Sequence, residues 1–176
     1  TPFNDNGEVD YKASMELAKA LSQTGSDGIL IGGTTGESPT LSNDEKLELF
    51  KSVKEAVGDS ADVIAGTTDN NTSESIKLSV EAQKLGVDGL LLTVPAYNKP
   101  TQDGLLGHFN KIADSVEIPG ILYNVPGRTS LNMEAETTIE LSKHENIIGI
   151  KEASSNLSQI TKIITETSGT NFKIWS

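Results

Sequence analysis

The sequence predicts an α/β fold, a (β/α)8 TIM barrel of which this chain supplies about strands 2–7. Three observations lead there. Short apolar segments of β type alternate with longer amphipathic segments along the whole chain. One unit recurs: Gly25-Ser26-Asp27-Gly28-Ile29-Leu30-Ile31 returns as Gly86-Val87-Asp88-Gly89-Leu90-Leu91-Leu92, repeating a helix stop, a turn and a strand start. Units follow one another roughly every 24 to 34 residues with no long excursion that would reverse the sheet order, which favours a closed barrel over an open, doubly wound sheet.

The strands are expected at residues 28–32, 62–65, 89–94, 120–123, 147–151 and 172–175. Between them, apolar residues at three- and four-residue spacing mark helices, as in Leu47, Phe50, Val53 and Val57, or Leu105, Phe109, Ile112 and Val116. Ser42 with Glu45, and Asn71 with Glu74, have the spacing of a capping box or its Asn variant. Gly25, Gly58, Gly86 and Gly169 read as helix stops. A complete barrel runs to about 250 residues. The 176 residues therefore read as one barrel domain, 1–176, incomplete at both ends, which on its own would leave strand edges and apolar faces open. The chain opens on Thr1 rather than a methionine and stops inside an expected strand, as a piece of a longer protein would.

Composition narrows the function. Lys and Arg number 14 against 25 Asp and Glu, for a net charge of -11, so nucleic acid and anionic membranes are poor partners. Without cysteine there is neither disulfide nor thiolate metal site, and the two histidines, His108 and His144, are too far apart for a metal pair; both read as surface residues. No apolar run reaches the roughly 20 residues of a membrane span, and no basic-then-apolar leader opens the chain. The expected location is the cytoplasm.

In an α/β barrel, chemistry collects at the carboxyl ends of the strands. The run at 147–151 ends in Lys151; an amine at such a rim can lose solvent on one side, which frees its lone pair to attack a carbonyl. A plain solvated lysine is the alternative. After the first visible strand comes GGTTGES at 32–38, whose glycines let the backbone approach a small ligand and whose N–H groups suit a carboxylate. It lacks the lysine of a phosphate loop and the spacing of a dinucleotide fingerprint. A simple tight turn is the alternative there. Tyr97 and Tyr123 also stand at strand ends, and Arg128, the only arginine, sits in a Pro-Gly turn on the same rim. It suits a substrate carboxylate or a structural salt bridge. Together these residues offer an imine-forming amine, groups that move protons, and donors for carboxylates.

The motifs GGTTGES, YNKPTQ, YNVPGRT and IIGIKEAS, in that order and at these intervals, closely resemble the 4-hydroxy-tetrahydrodipicolinate synthase (dihydrodipicolinate synthase) family of pyruvate-dependent class I lyases, relatives of N-acetylneuraminate lyase. The resemblance implies a lyase that joins pyruvate to aspartate 4-semialdehyde on the way to lysine and diaminopimelate, with no cofactor and no metal. It implies that Lys151 forms the Schiff base and that Tyr123 relays protons. Thr34 would link Tyr123 to Tyr97, which reaches in from a neighbouring subunit. Thr35 would hold the pyruvate carboxylate and Arg128 that of the semialdehyde. A homotetramer built as a dimer of dimers is implied as well.

Lysine-inhibited bacterial members of the family place the effector at the dimer interface, with a tyrosine immediately before the Tyr97 position and two histidines in the helix after GTTGES. Here those places read Ala96, Asn43 and Lys46, while Asn70 and Glu74 still match the family's effector pocket. Lysine feedback is therefore expected to be weak or absent. Two other functions compete. One is a sialic acid or 2-keto-3-deoxy sugar acid lyase with the same Schiff-base chemistry; the other is a non-catalytic barrel piece used as a binding module.

Overall fold

The computed structural model describes all 176 residues. Six parallel strands, β1 (Gly28–Ile31), β2 (Asp62–Gly66), β3 (Gly89–Thr93), β4 (Gly120–Asn124), β5 (Ile147–Glu152) and β6 (Lys173–Trp175), form one sheet. Their spatial order is the order of the chain, β1-β2-β3-β4-β5-β6. An open, doubly wound sheet would need a reversal, and none occurs. This is a barrel wall with its two edges, β1 and β6, left open.

Seven helices accompany it: α1 (Tyr11–Gln23), α2 (Asn43–Val57), α3 (Thr72–Lys84), α4 (Gln102–Ala113), the short α5 (Pro126–Thr129), α6 (Ala135–Leu141) and α7 (Leu157–Glu166). None is long and apolar enough to cross a membrane. The first capping box forms in full: the Ser42 hydroxyl accepts from the Glu45 N–H at 3.2 Å while the Glu45 carboxylate accepts from the Ser42 N–H at 2.8 Å. At α3 only half of it forms. Asn71 accepts from the Ser73 N–H at 2.9 Å, but Glu74 turns to Lys77 at 2.7 Å, because an ion pair one turn ahead competes for the same carboxylate. The four glycines read as stops all have positive φ.

Side chains alternate across each strand. One set, including Val63, Ala65, Leu90, Leu92, Leu122 and Ile150, packs against Phe50, Val53, Phe109 and Ile112 of the helices in the main core. The other set faces the barrel interior, where Leu91, Tyr123 and Val125 form a small cluster with Ile64 and Ile121. The repeated Gly-X-Asp-Gly unit has a mechanical purpose at its second copy. Asp88 accepts both from Lys54 of α2, at 2.7 Å and 2.8 Å, and from the Val63 N–H of β2, at 2.7 Å, tying a helix and two strands at one turn.

His108 does not lie on the surface. It is 6% exposed, since α4 turns residues 105, 108, 109 and 112 to one face at helical spacing. Its Nδ1 pairs with the Thr72 hydroxyl at 2.9 Å, whereas Nε2 is buried without a partner. His144 pairs with Asp114 at 3.0 Å and keeps only 18% of its side chain exposed.

Candidate active site

Register brings the central pair together. Tyr123 of β4 and Lys151 of β5 are paired directly across the ladder, so both side chains leave the same face at the same level of the wall. The Lys151 ammonium lies 4.5 Å from the centroid of the Tyr123 ring, a cation–π contact. Tyr123 is 6% exposed, and Lys151 is half-buried. The pair lines a pocket of about 170 Å³ together with Thr34, Thr35, Arg128, Leu30 and Leu91. Five of the six residues singled out from the sequence thus meet around one small cavity.

The loop after β1 is built to come close to that cavity. Gly32 has φ +70, and a side chain on Gly66 of β2 would run into the Gly32 carbonyl, so neither position tolerates a Cβ without moving the loop. Within the turn, the Gly36 and Ser38 N–H groups bond to the Gly33 carbonyl at 3.1 and 3.4 Å, and the Glu37 N–H bonds to Thr34 at 3.1 Å. The N–H groups of Thr34 and Thr35 have no partner in the chain. Two free donors and two exposed hydroxyls at the mouth of the pocket form a ready receptor for a carboxylate.

Arg128 lies in α5 immediately after β4, exposed and in no ion pair, so the structural salt bridge that competed with a binding role is absent. Tyr97 is the exception. It is 91% exposed and lines neither cavity of this rim, and no hydrogen bond joins Thr34 to Tyr123 or to Tyr97. Its backbone takes φ +73, uncommon and strained for a bulky residue. The loop is pinned on both sides: Ala96 exchanges two hydrogen bonds with the Asn70 side chain, at 2.9 and 3.0 Å, and the Tyr97 N–H bonds to Thr129 at 3.1 Å.

A larger cavity of about 380 Å³ opens beside the first and shares Gly33, Thr34 and Arg128 with it. Lys46, Asp69, Asn70 and Ala96 line it. Burial pushes the Lys46 amine down, against the pull of Asp69. It contains no pairing of an amine with a phenol, and the smaller cavity is the candidate reaction chamber. No three His, Asp or Glu side chains converge as metal ligands.

Sequence reading missed the residues behind the pair. Asn124 and Glu152, each one step beyond Tyr123 and Lys151, are 0% and 2% exposed on the helix-covered face, with Gln159 of α7 at 8%. The signal was present in strand alternation: the residue after an inward-facing one points outward into the core, where a polar group needs partners.

Comparison with known proteins agrees with the barrel wall. Residues 1–176 match the model of the dihydrodipicolinate synthetase family. The chain is 51% identical over 176 residues to 4-hydroxy-tetrahydrodipicolinate synthase 1 of Halalkalibacterium halodurans, covering all of this chain and 59% of that protein. It is 53% identical over 166 residues to the 4-hydroxy-tetrahydrodipicolinate synthase of Moorella thermoacetica, covering 94% of this chain and 57% of the relative. Among solved structures, a Cyanidioschyzon merolae DHDPS crystallised with lysine bound superposes with a TM-score of 0.97 at 48% identity, over 100% of this chain and 60% of that one. The chain spans somewhat under three fifths of the length of these curated relatives. With all 176 residues matched by the family model, about half of them identical to a curated member and the fold superposing on a solved one, the chain belongs to the dihydrodipicolinate synthetase family.

Proposed function

We propose that the protein carrying this chain condenses pyruvate with L-aspartate 4-semialdehyde to give 4-hydroxy-tetrahydrodipicolinate, in lysine and diaminopimelate biosynthesis, through a Schiff base on Lys151. The observation that carries the reading is the Lys151–Tyr123 pair, 4.5 Å from ammonium to ring centroid, at the floor of a small pocket. Lys151 Nζ adds to C2 of pyruvate and water leaves, giving an iminium; loss of a proton from C3 gives the enamine. Its C3 bonds to the aldehyde carbon while the aldehyde oxygen takes up a proton. The adduct's own amine then adds to C2, the C2–Nζ bond breaks, and the ring closes with the lysine set free.

Tyr123 moves the protons and orients the imine. Thr35 holds the pyruvate carboxylate through its free N–H and its hydroxyl, and Arg128 holds the carboxylate of the semialdehyde. Thr34 links Tyr123 to Tyr97 of a neighbouring subunit. The pinned, strained and outward-directed Tyr97 supports that reading, which requires at least a dimer; a dimer of dimers in the cytoplasm is the assembly proposed. Feedback by lysine is proposed to be weak or absent.

The test is to incubate the full-length protein with pyruvate and borohydride and to map the adduct by mass spectrometry, alongside coupled assays with aspartate semialdehyde or N-acetylmannosamine as second substrate. A reduced pyruvyl adduct on Lys151 and turnover with the semialdehyde alone are expected. An unmodified Lys151 removes the proposal.

A further inference from the structure

We infer that the buried cluster of Glu152, Asn124, Gln159 and Asn132 positions Lys151 and Tyr123 for reaction; the inference rests on the Schiff-base reading above. Asn124 and Glu152 are themselves register partners, one step beyond Tyr123 and Lys151, and their side chains leave the opposite face of the same two strand ends. Asn124 Nδ2 donates to both oxygens of Glu152 at 3.1 Å. Gln159 Nε2 of α7 donates to Glu152 Oε2 at 3.1 Å, and the Ser154 N–H donates to Oε1 at 2.8 Å. Asn124 also accepts from the Met133 N–H at 3.0 Å and donates to Asn132 Oδ1 at 2.9 Å, while Asn132 Nδ2 donates to Gln159 at 2.9 Å.

The effect is a clamp behind the reacting pair. Strand ends fray where only the backbone ladder holds them. Here β4 and β5 are joined by side chains at their last residues, and the turn that follows is tied by the Ala153 N–H to the Asn124 carbonyl at 2.8 Å. A helix and the stretch before α6 brace the same point. The separation of the two Cα atoms behind Lys151 and Tyr123 is therefore held from three directions.

The chemistry of the clamp argues that holding the fold is not its whole purpose. Glu152 is in no ion pair and receives only neutral donors, an expensive arrangement for a buried carboxylate. A well-packed apolar pair would secure the sheet at least as well. What a fully satisfied polar network adds is a single permitted geometry, and misplacing a reacting group by about 1 Å costs on the order of a hundredfold in rate.

The experiment uses the full-length protein with the variants Glu152→Gln and Asn124→Asp/Glu152→Gln, measuring kcat, both KM values, the melting temperature and the rate of borohydride-trapped adduct at Lys151. Glu152→Gln keeps the volume but turns one acceptor oxygen into a donor that faces the N–H groups of Asn124 and of Gln159 or Ser154; kcat is expected to fall about 10- to 100-fold with both KM values within about threefold, beyond what a drop of about a few degrees in melting temperature accounts for. In the double variant amide and carboxylate exchange strands and the contact re-forms, so about tenfold of the lost rate returns. Gln159→Met, which withdraws the α7 donor at similar length, carries the same expectation should Glu152→Gln not fold. Unchanged kcat and trapping rate in the folded variants, or a loss that follows the melting temperature, overturn the inference. No adduct on Lys151 of the unaltered protein overturns the Schiff-base reading instead.

Discussion

Lys151 and Tyr123 face each other across β4 and β5 as ladder partners, and the ammonium of one sits 4.5 Å from the ring centroid of the other. Adjacency in register makes the pair as rigid as the sheet beneath it. In the proposed mechanism this places the proton carrier beside the amine through imine formation and decay without a loop having to move.

Tyr123→Phe keeps the ring that covers Lys151 and removes only the hydroxyl. The expected result is a fall in kcat of about 10²- to 10⁴-fold, the usual worth of a positioned acid or base, with the fold intact and pyruvate still trapped on Lys151 by borohydride, more slowly. Lys151→Ala should give no adduct at all. Steady-state kinetics with mass mapping separates the two outcomes, and an active Lys151→Ala variant would refute the assignment.

Arg128 has no partner in the chain, so its removal leaves no buried charge behind and reports on ligand alone. Arg128→Ala should raise the KM for the semialdehyde by about 10- to 100-fold, equivalent to the roughly 1.5–3 kcal/mol of a charge-assisted hydrogen bond. The rate of pyruvate trapping at Lys151 should not change. A rise in the pyruvate KM alone would move Arg128 to the other substrate.

His108 gives a stability signature. Burial pushes its imidazole below the ordinary value of 6.5, more strongly than Asp69 pulls it up, so the unfolded chain takes up a proton at a higher pH than the folded one. Stability is therefore full above about pH 6.5 and is lost as pH falls from there toward the lower folded value. Denaturant midpoints from pH 8 to 5 should show the unaltered protein losing more stability than His108→Gln, whose side chain does not titrate. Identical slopes would show that His108 is not responsible.

Residue periodicity was enough to read the strands, the caps at Ser42 and Asn71 and the carboxyl-end rim, because those features are local: two-residue and three- to four-residue spacings, caps and glycine stops. Lys151, Tyr123, Thr34, Thr35 and Arg128 could be singled out because they stand at or shortly after the carboxyl ends of strands, and strand ends converge in a barrel. His108 was read as surface from its residue type, although its spacing from Leu105, Phe109 and Ile112 already put it on the apolar face of the helix. Glu152 and Asn124 were overlooked for a different reason. Strand alternation placed both on the core face, but the partners that give them their importance come from α7 and the loop before α6, contacts of long sequence separation. Tyr97 could be located but not brought to the pocket, since a single chain leaves it pointing into solvent.

That outward Tyr97 yields a test of assembly. If it completes the pocket of a neighbouring subunit, Tyr97→Phe and Lys151→Ala should each be nearly inactive alone, yet mixing them after dissociation should restore activity. Half of the randomly formed dimers are hybrids with one of two sites intact, about a quarter of unaltered activity by the symmetry of a two-fold interface. Size-exclusion chromatography checks that both variants assemble. No recovery on mixing would mean that Tyr97 acts within its own chain or not at all.

Lysine feedback follows from the larger cavity. Of the positions that match the family's effector pocket, Asn70 is fully engaged by the Ala96 backbone at 2.9 and 3.0 Å, and Glu74 is paired with Lys77 at 2.7 Å. Ala96 offers no aromatic wall, and Lys46 lines the cavity as a half-buried amine. A cationic effector would meet a like charge there and compete with the Lys46 amine for the one carboxylate that lines the cavity, Asp69. Titration calorimetry on the full-length protein should therefore show lysine binding no tighter than about millimolar, less than roughly 4 kcal/mol of affinity. Lys46→His should tighten it by relieving the repulsion, and micromolar binding to the unaltered protein would overturn the argument.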